Sequence, residues 1–275
     1  KNSSQIQQYH KDINDDYIRI WVMNHSEIFY EDGEPVYLND NNFPYDCVGY
    51  NFTKLDQYID IIVNKIGAKP FITFESSPDC MSYSGRGSLP KNFTEFGSVL
   101  GNIMNHYNSM YNTDDWYVSV WNEPWNKTLF WDNEDNYIRI YNEVYNKIKM
   151  VNPNIKVGGF VLYYLQGDRY YENELVSFLQ KADGMDFVEL HHYGISGFNG
   201  NVSDNDALIN HTKRIYYDET NYVTNFIKQY RSDNPQIVIG EMNVNGLHDV
   251  RSTEQFGAAW YASALNWLIR NKLMG

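Results

Sequence analysis

Short β-rich runs alternate with longer segments whose apolar residues recur every three to four positions, and this alternation continues through nearly the whole chain. The strand candidates are Tyr17 to Met23, Pro70 to Glu75, Trp116 to Trp121, Ile155 to Leu162, Phe187 to His192 and Gln236 to Glu241. Helical stripes fall between them. One places Leu55, Tyr58, Ile59, Ile62, Val63 and Ile66 on a single face, with Gly67 as its stop and Pro70 just beyond. Others run from Phe96 to Tyr107, Tyr137 to Ile148, Leu175 to Leu179, Tyr222 to Tyr230 and Phe256 to Ile269. Strands that alternate with helices imply a parallel sheet with helices packed on it, because a parallel connection needs a crossover and a helix is the usual one.

No Pro/Gly/Ser-rich linker or long charge block interrupts the series, so residues 1–275 read as one α/β domain. Its 275 residues lie close to the roughly 250 of a (β/α)8 barrel. An open doubly wound sheet would often carry a G-x-G-x-x-G phosphate loop after its first strand. Here the nearest approach is Gly85-Arg86-Gly87, within a long loop on which no helix opens. A closed barrel of TIM type is the preferred fold.

A formal charge of -13 opposes partners held through phosphates, which excludes nucleic acid and anionic membranes as the main ligands. No apolar run approaches the 18 or so residues of a membrane span. Aromatic residues make up 16% of the chain, with 24 Tyr and 7 Trp, a composition suited to stacking on the flat apolar faces of sugar rings. Sequons include those opening at Asn2, Asn51, Asn92, Asn126, Asn201 and Asn210, which makes N-glycosylation and a secreted or cell-surface location an expectation. Cys47 and Cys80 lack metal-type spacing. In a barrel, the loops carrying them leave neighbouring strands at the same face, so a disulfide and a pair of free thiols are the two readings.

The strand at Trp116 to Trp121 runs directly into Asn122-Glu123-Pro124, and the strand at Gln236 ends on Glu241-Met242-Asn243. In a parallel barrel the chemistry collects at the C-terminal ends of strands, where both glutamates fall. Paired carboxylates suit glycoside hydrolysis. One must be protonated to donate to the glycosidic oxygen, and the other ionised to attack the anomeric carbon. Retention of configuration requires the two groups about 5 to 5.5 Å apart.

These motifs resemble those of clan A glycoside hydrolases, (β/α)8 barrels with N-E-P after strand 4 and E-x-N after strand 7. The resemblance sharpens to glycoside hydrolase family 39, the β-xylosidases and α-L-iduronidases. Its elements are similar to Arg19, Tyr50-Asn51-Phe52-Thr53-Lys54-Leu55-Asp56, Lys69-Pro70-Phe71, Trp121 to Pro124 with Phe130-Trp131, His191-His192-Tyr193 and Glu241-Met242-Asn243. Where the family usually has a His after the first Arg, this chain has Trp21. Matched to the family, the visible strands are strands 2 to 7, and strands 1 and 8 are expected from outside this sequence.

The resemblance implies Glu123 as acid/base, Glu241 as nucleophile, and Asn122 as the group that hydrogen-bonds the sugar 2-hydroxyl. His191 and Tyr193 share a strand face and are expected to bind the nucleophile or substrate. Arg19 would orient the carboxylates, and Asn243 joins the substrate set. Trp125, Trp131 and Trp21 suit either sugar platforms or packing. Glu75 and Glu189, strand-end acids without motif context, read as supporting or solvated groups. His191-His192 as a metal pair is disfavoured, since adjacent strand residues face opposite sides. No metal or organic cofactor is expected. The reading is a retaining glycosidase cleaving a xylose-like or related glycoside. The alternatives are an endo-acting clan A hydrolase, a non-catalytic carbohydrate-binding barrel, and a metal-dependent barrel hydrolase, which would need an H-x-H on an early strand that the chain lacks.

Overall fold

A computed structural model describes residues 3–22, 27–31, 34–38, 42–83, 88–124, 134–163, 172–195, 202–246 and 249–271. They fall into two compact units, Lys1–Gly159 with Ala182–Met185, and Phe160–Lys181 with Asp186–Gly275.

In the first unit, helix α1 (Ser3–Ile13) precedes strand β1 (Tyr17–Val22). A hairpin of β2 (Glu27–Glu31) and β3 (Glu34–Leu38) follows, paired antiparallel. Helix α2 (Thr53–Asp60) runs on into a π-helical turn, Ile61–Ile66, and ends at Gly67, whose φ of 92° is the left-handed stop expected there. Then come β4 (Lys69–Phe74), α3 (Phe93–Met110), β5 (Tyr117–Val120), α4 (Glu134–Val151) and the opening half of β6 (Lys156–Tyr163). Helix α3 starts where Asn92 accepts a hydrogen bond from the Glu95 amide, 3.1 Å away. Its stripe of Phe96, Val99, Leu100, Ile103, Met104 and Tyr107 is buried throughout. Removing any such side chain from water contributes about 1.5–3 kcal/mol, so the stripe holds the helix in place. The pairs β1–β4, β4–β5 and β5–β6 all run parallel. Cys47 and Cys80 form a disulfide, with Cα atoms 6.1 Å apart.

The second unit holds α5 (Glu172–Lys181), β7 (Phe187–Ile195), two π-helical turns (Asp206–His211 and Arg214–Glu219), α6 (Thr220–Tyr230), β8 (Gln236–Asn245) and α7 (Gln255–Arg270). Its core gathers Ile195, Ala207, Ile215, Tyr216, Val244, Trp260, Ala264 and Leu268. Strands β7 and β8 are parallel. The strand order β1-β4-β5-β6-β7-β8 with helices between consecutive strands is the (β/α)8-barrel class of fold. All six strands and the helices expected from periodicity are present. The Ile61–Ile66 turn completes the stripe expected for α2, β8 runs past Glu241 to Asn245, and the hairpin, α1 and the two π-helical turns of the second unit are additions. Among the described residues, no helix is long and apolar enough to cross a membrane.

Candidate active site

Strand β5 delivers Asn122 and Glu123 by an abrupt change of backbone. Trp121 and Glu123 have φ of 69° and 44°, the left-handed region that costs a side-chain-bearing residue about 1–3 kcal/mol. Burial holds the turn against that cost. Trp121 is fully buried with its ring 6.2 Å from Phe96, and its amide donates to the Phe74 carbonyl at 2.9 Å. The turn leaves Asn122 buried and Glu123 half-buried. Arg19 Nη2, from β1, donates to Asn122 Oδ1 at 3.4 Å, while its guanidinium lies 5.4 Å from the Trp21 ring centre and 5.6 Å from that of Phe71. Arg19 and Trp21 thus share a strand face, and Arg19 fixes the amide beside the acid. Glu75, at the end of β4, is buried.

In the second unit, β7 and β8 bring four polar side chains together. Glu189 pairs with Val238 and Leu190 with Ile239, but His191 pairs with Glu241, so Gly240 is an extra residue on β8. This β-bulge shifts the alternation of β8 by one and turns Glu241 to the face of Glu189, His191 and Tyr193. The Tyr193 hydroxyl donates to Glu241 Oε2, and His191 Nε2 lies 3.4 Å from Glu241 Oε1 and 3.3 Å from Glu189 Oε1. His191 and Glu189 are wholly buried, whereas the Glu241 side chain keeps 20% of its surface exposed. Asn243 pairs with Tyr193, and its Oδ1 accepts from the Val244 amide at 2.7 Å and the Tyr261 hydroxyl at 3.4 Å.

His192 points to the opposite side of β7, where its Nδ1 lies 3.5 Å from Glu219 Oε2. Burial presses its pKa down to about 3, assisted by the neighbouring His191, and burial raises that of Glu219 to about 7. Below about pH 7 both shifts favour the neutral forms, with the proton on Glu219.

Glu123, just past the end of β5, and Glu241, within β8, thus each have attendant polar groups in their own unit. Arg19 and Asn122 accompany Glu123, and His191, Tyr193 and Asn243 accompany Glu241. Trp125 and Trp131 lie outside the described residues. Glu189, read from sequence as a supporting or solvated acid, is in contact with His191. The period-two spacing Glu189, His191, Tyr193 is the signal that places it on that face.

Residues 3–262 match the family described as glycosyl hydrolases family 39. A β-xylosidase of Caldicellulosiruptor saccharolyticus is 28% identical over 124 residues, 41% of this chain and 25% of the relative. Among solved structures, a family 39 β-xylosidase from Caulobacter crescentus superposes with a TM-score of 0.67 at 20% identity, covering 98% of this chain and 56% of its own. A monomeric β-xylosidase from Caulobacter crescentus CB15 gives 0.63 at 21% identity, covering 89% and 49%. The chain spans about half the length of these solved relatives and a quarter of the curated one.

Proposed function

Because the chain belongs to glycosyl hydrolase family 39, we propose that it carries the catalytic carboxylates of a retaining glycosidase acting on a xylose-like or related glycoside. Glu241 is the nucleophile and Glu123 the acid/base. The observation that carries this reading is the setting of Glu241. A carboxylate within β8, just past the bulge, with a phenol donating to one oxygen and an imidazole nitrogen beside the other, has its attacking geometry fixed before substrate arrives.

In the first step a Glu241 oxygen bonds to the anomeric carbon as the glycosidic C–O bond breaks, and the Glu123 carboxyl gives its proton to the departing oxygen. The now ionised Glu123 then takes a proton from water as that water attacks the same carbon and releases Glu241. Asn122, whose Oδ1 accepts from Arg19, is the group that hydrogen-bonds the sugar 2-hydroxyl, a contact that strengthens in the transition state. Support for a xylose-like sugar comes from the β-xylosidase relative. The disulfide and the exposed sequon residues Asn51, Asn92 and Asn210 favour a secreted or cell-surface protein.

The test is a screen of nitrophenyl glycosides with proton NMR of the first-formed product. Hydrolysis of a pentoside with the substrate's anomeric configuration retained is expected. A first-formed product of inverted configuration overturns the mechanism, and no turnover of any glycoside overturns the activity.

A further inference from the structure

One ring nitrogen faces two carboxylates in the second unit. His191 Nε2 lies 3.3 Å from Glu189 Oε1 and 3.4 Å from Glu241 Oε1, and the Glu189 and His191 side chains expose no surface. If Nε2 carried a lone pair, three lone-pair-bearing atoms would converge without water between them. A hydrogen on Nε2 instead meets acceptors on both sides. The two Glu241 oxygens are then each beside a donor, His191 at Oε1 and Tyr193 at Oε2, which fixes the plane of the carboxylate.

The chain is also shaped to seat Glu189. A Cβ on Gly240 would stand 1.8 Å from Glu189 Oε1 and 2.6 Å from its Cδ, so the bulge residue that turns Glu241 to this face is also the one that leaves room for the second carboxylate. A buried carboxylate is costly to keep unless something pairs with it, and the pairing here is with the imidazole that touches Glu241.

We propose that Glu189 is a positioning residue of the active site, whose buried carboxylate keeps the hydrogen on Nε2 of His191 and thereby holds the imidazole edge against Glu241. The inference deepens the reading of Glu241 as nucleophile and rests on it.

The experiment uses the full chain labelled with 15N-histidine. Long-range proton–nitrogen NMR reports the His191 ring nitrogens, assigned with a His191→Gln variant, and turnover of 4-nitrophenyl β-D-xyloside is followed in parallel. Native protein shows Nε2 protonated. Glu189→Gln, which replaces the anionic acceptor by a neutral amide able to turn its NH2 to the ring, leaves Glu241 alone to hold the hydrogen and moves the Nε2 resonance part of the way toward the unprotonated position. It lowers kcat about tenfold or more and changes KM by less than about twofold, as misplacement of a reacting group does. Glu189→Asp, which keeps the charge, restores Nε2 protonation. An unchanged Nε2 resonance in Glu189→Gln overturns the inference. Should that variant not fold, Gly240→Ala displaces the carboxylate from its seat and is read by the same spectrum, with the same overturning result. Azide rescue of Glu241→Gly on the same xyloside reports the nucleophile separately. Absence of rescue with a responsive Nε2 overturns the reading of Glu241 and leaves the Glu189–His191 pairing. Rescue with an unresponsive Nε2 overturns the positioning role alone.

Discussion

Truncating Glu241 to glycine removes the carboxylate proposed to attack and leaves a space beside Tyr193 and His191. Turnover is expected to vanish and to return with azide, which attacks from the side of the lost carboxylate and yields a glycosyl azide of inverted configuration. Glu123→Ala is expected to spare glycosylation on substrates with acidic leaving groups, which need little proton donation, and to slow the step in which water is activated. Product analysis by NMR separates the two roles, and an inverted azide product from the Glu123 variant with a dead Glu241 variant would show them reversed. On the far face of β7, His192 and Glu219 predict a pH signature. His192 falls from 6.5 to about 3 on folding, so its contribution to stability is complete above pH 6.5 and is lost as pH drops toward 3. Glu219 rises from 4.5 to about 7, so its contribution is complete below pH 4.5 and is lost as pH climbs through 7. Between pH 4.5 and 6.5 the two slopes oppose each other. Glu219→Gln removes one of them, and the stability of the variant relative to native protein should rise with pH across that window by up to about 1.4 kcal/mol per pH unit. Urea unfolding at a series of pH values measures the difference, and a flat difference curve counts against the neutral pair.

Among the elements, the loops are tied by covalent chemistry and the strands by register. The Cys47–Cys80 bond closes a loop of 33 residues, for which the chain-entropy estimate is roughly 3–4 kcal/mol. Replacing both cysteines by serine should lower the thermal midpoint by several degrees, and addition of a reductant should do the same to native protein. A midpoint unmoved by both changes would mean that the loop is held by its packing alone. Strand β8 shows what register contributes. Read as a strict alternation, Gln236 to Glu241 gives a strand ending on an acid but leaves open which side chains that acid meets. The bulge at Gly240 decides it, and nothing local marks this glycine as a bulge until its partner strand is present. The hairpin is hidden in the sequence for a different reason. Glu27–Glu31 and Glu34–Leu38 flank Asp32-Gly33, a pairing signal in the sequence, but the runs are short and carry acids at their ends, so the α/β rhythm around them dominates the reading.

For the molecule as a whole, the surplus of acids sets the field that any substrate enters. With a net charge of -13, kcat/KM on a neutral glycoside should change little with ionic strength, whereas an anionic glycoside should react faster as salt rises from low concentration and screens the repulsion. Steady-state kinetics on a nitrophenyl xyloside and a nitrophenyl glucuronide between about 10 and 150 mM salt compares them, the span over which the Debye length falls from about 30 to 8 Å. An anionic substrate unaffected by salt would mean that the charge is carried far from the site. The sequence by itself determined the order of strands and helices, because buried parallel strands and one-sided helices impose different apolar periods. It also singled out Glu123 and Glu241 as candidates, because each stands in a recognisable motif beside a strand run. Tertiary structure alone decided that Glu189, a lone acid in the sequence, shares His191 with Glu241. It also decided that Arg19 meets Asn122, and that His192 and Glu219 face each other on the buried side of β7. Those contacts join residues from 2 to 103 positions apart, through a bulge, a strained turn and a buried face, and hydrogen-bond geometry of that kind exists only once the strands are packed.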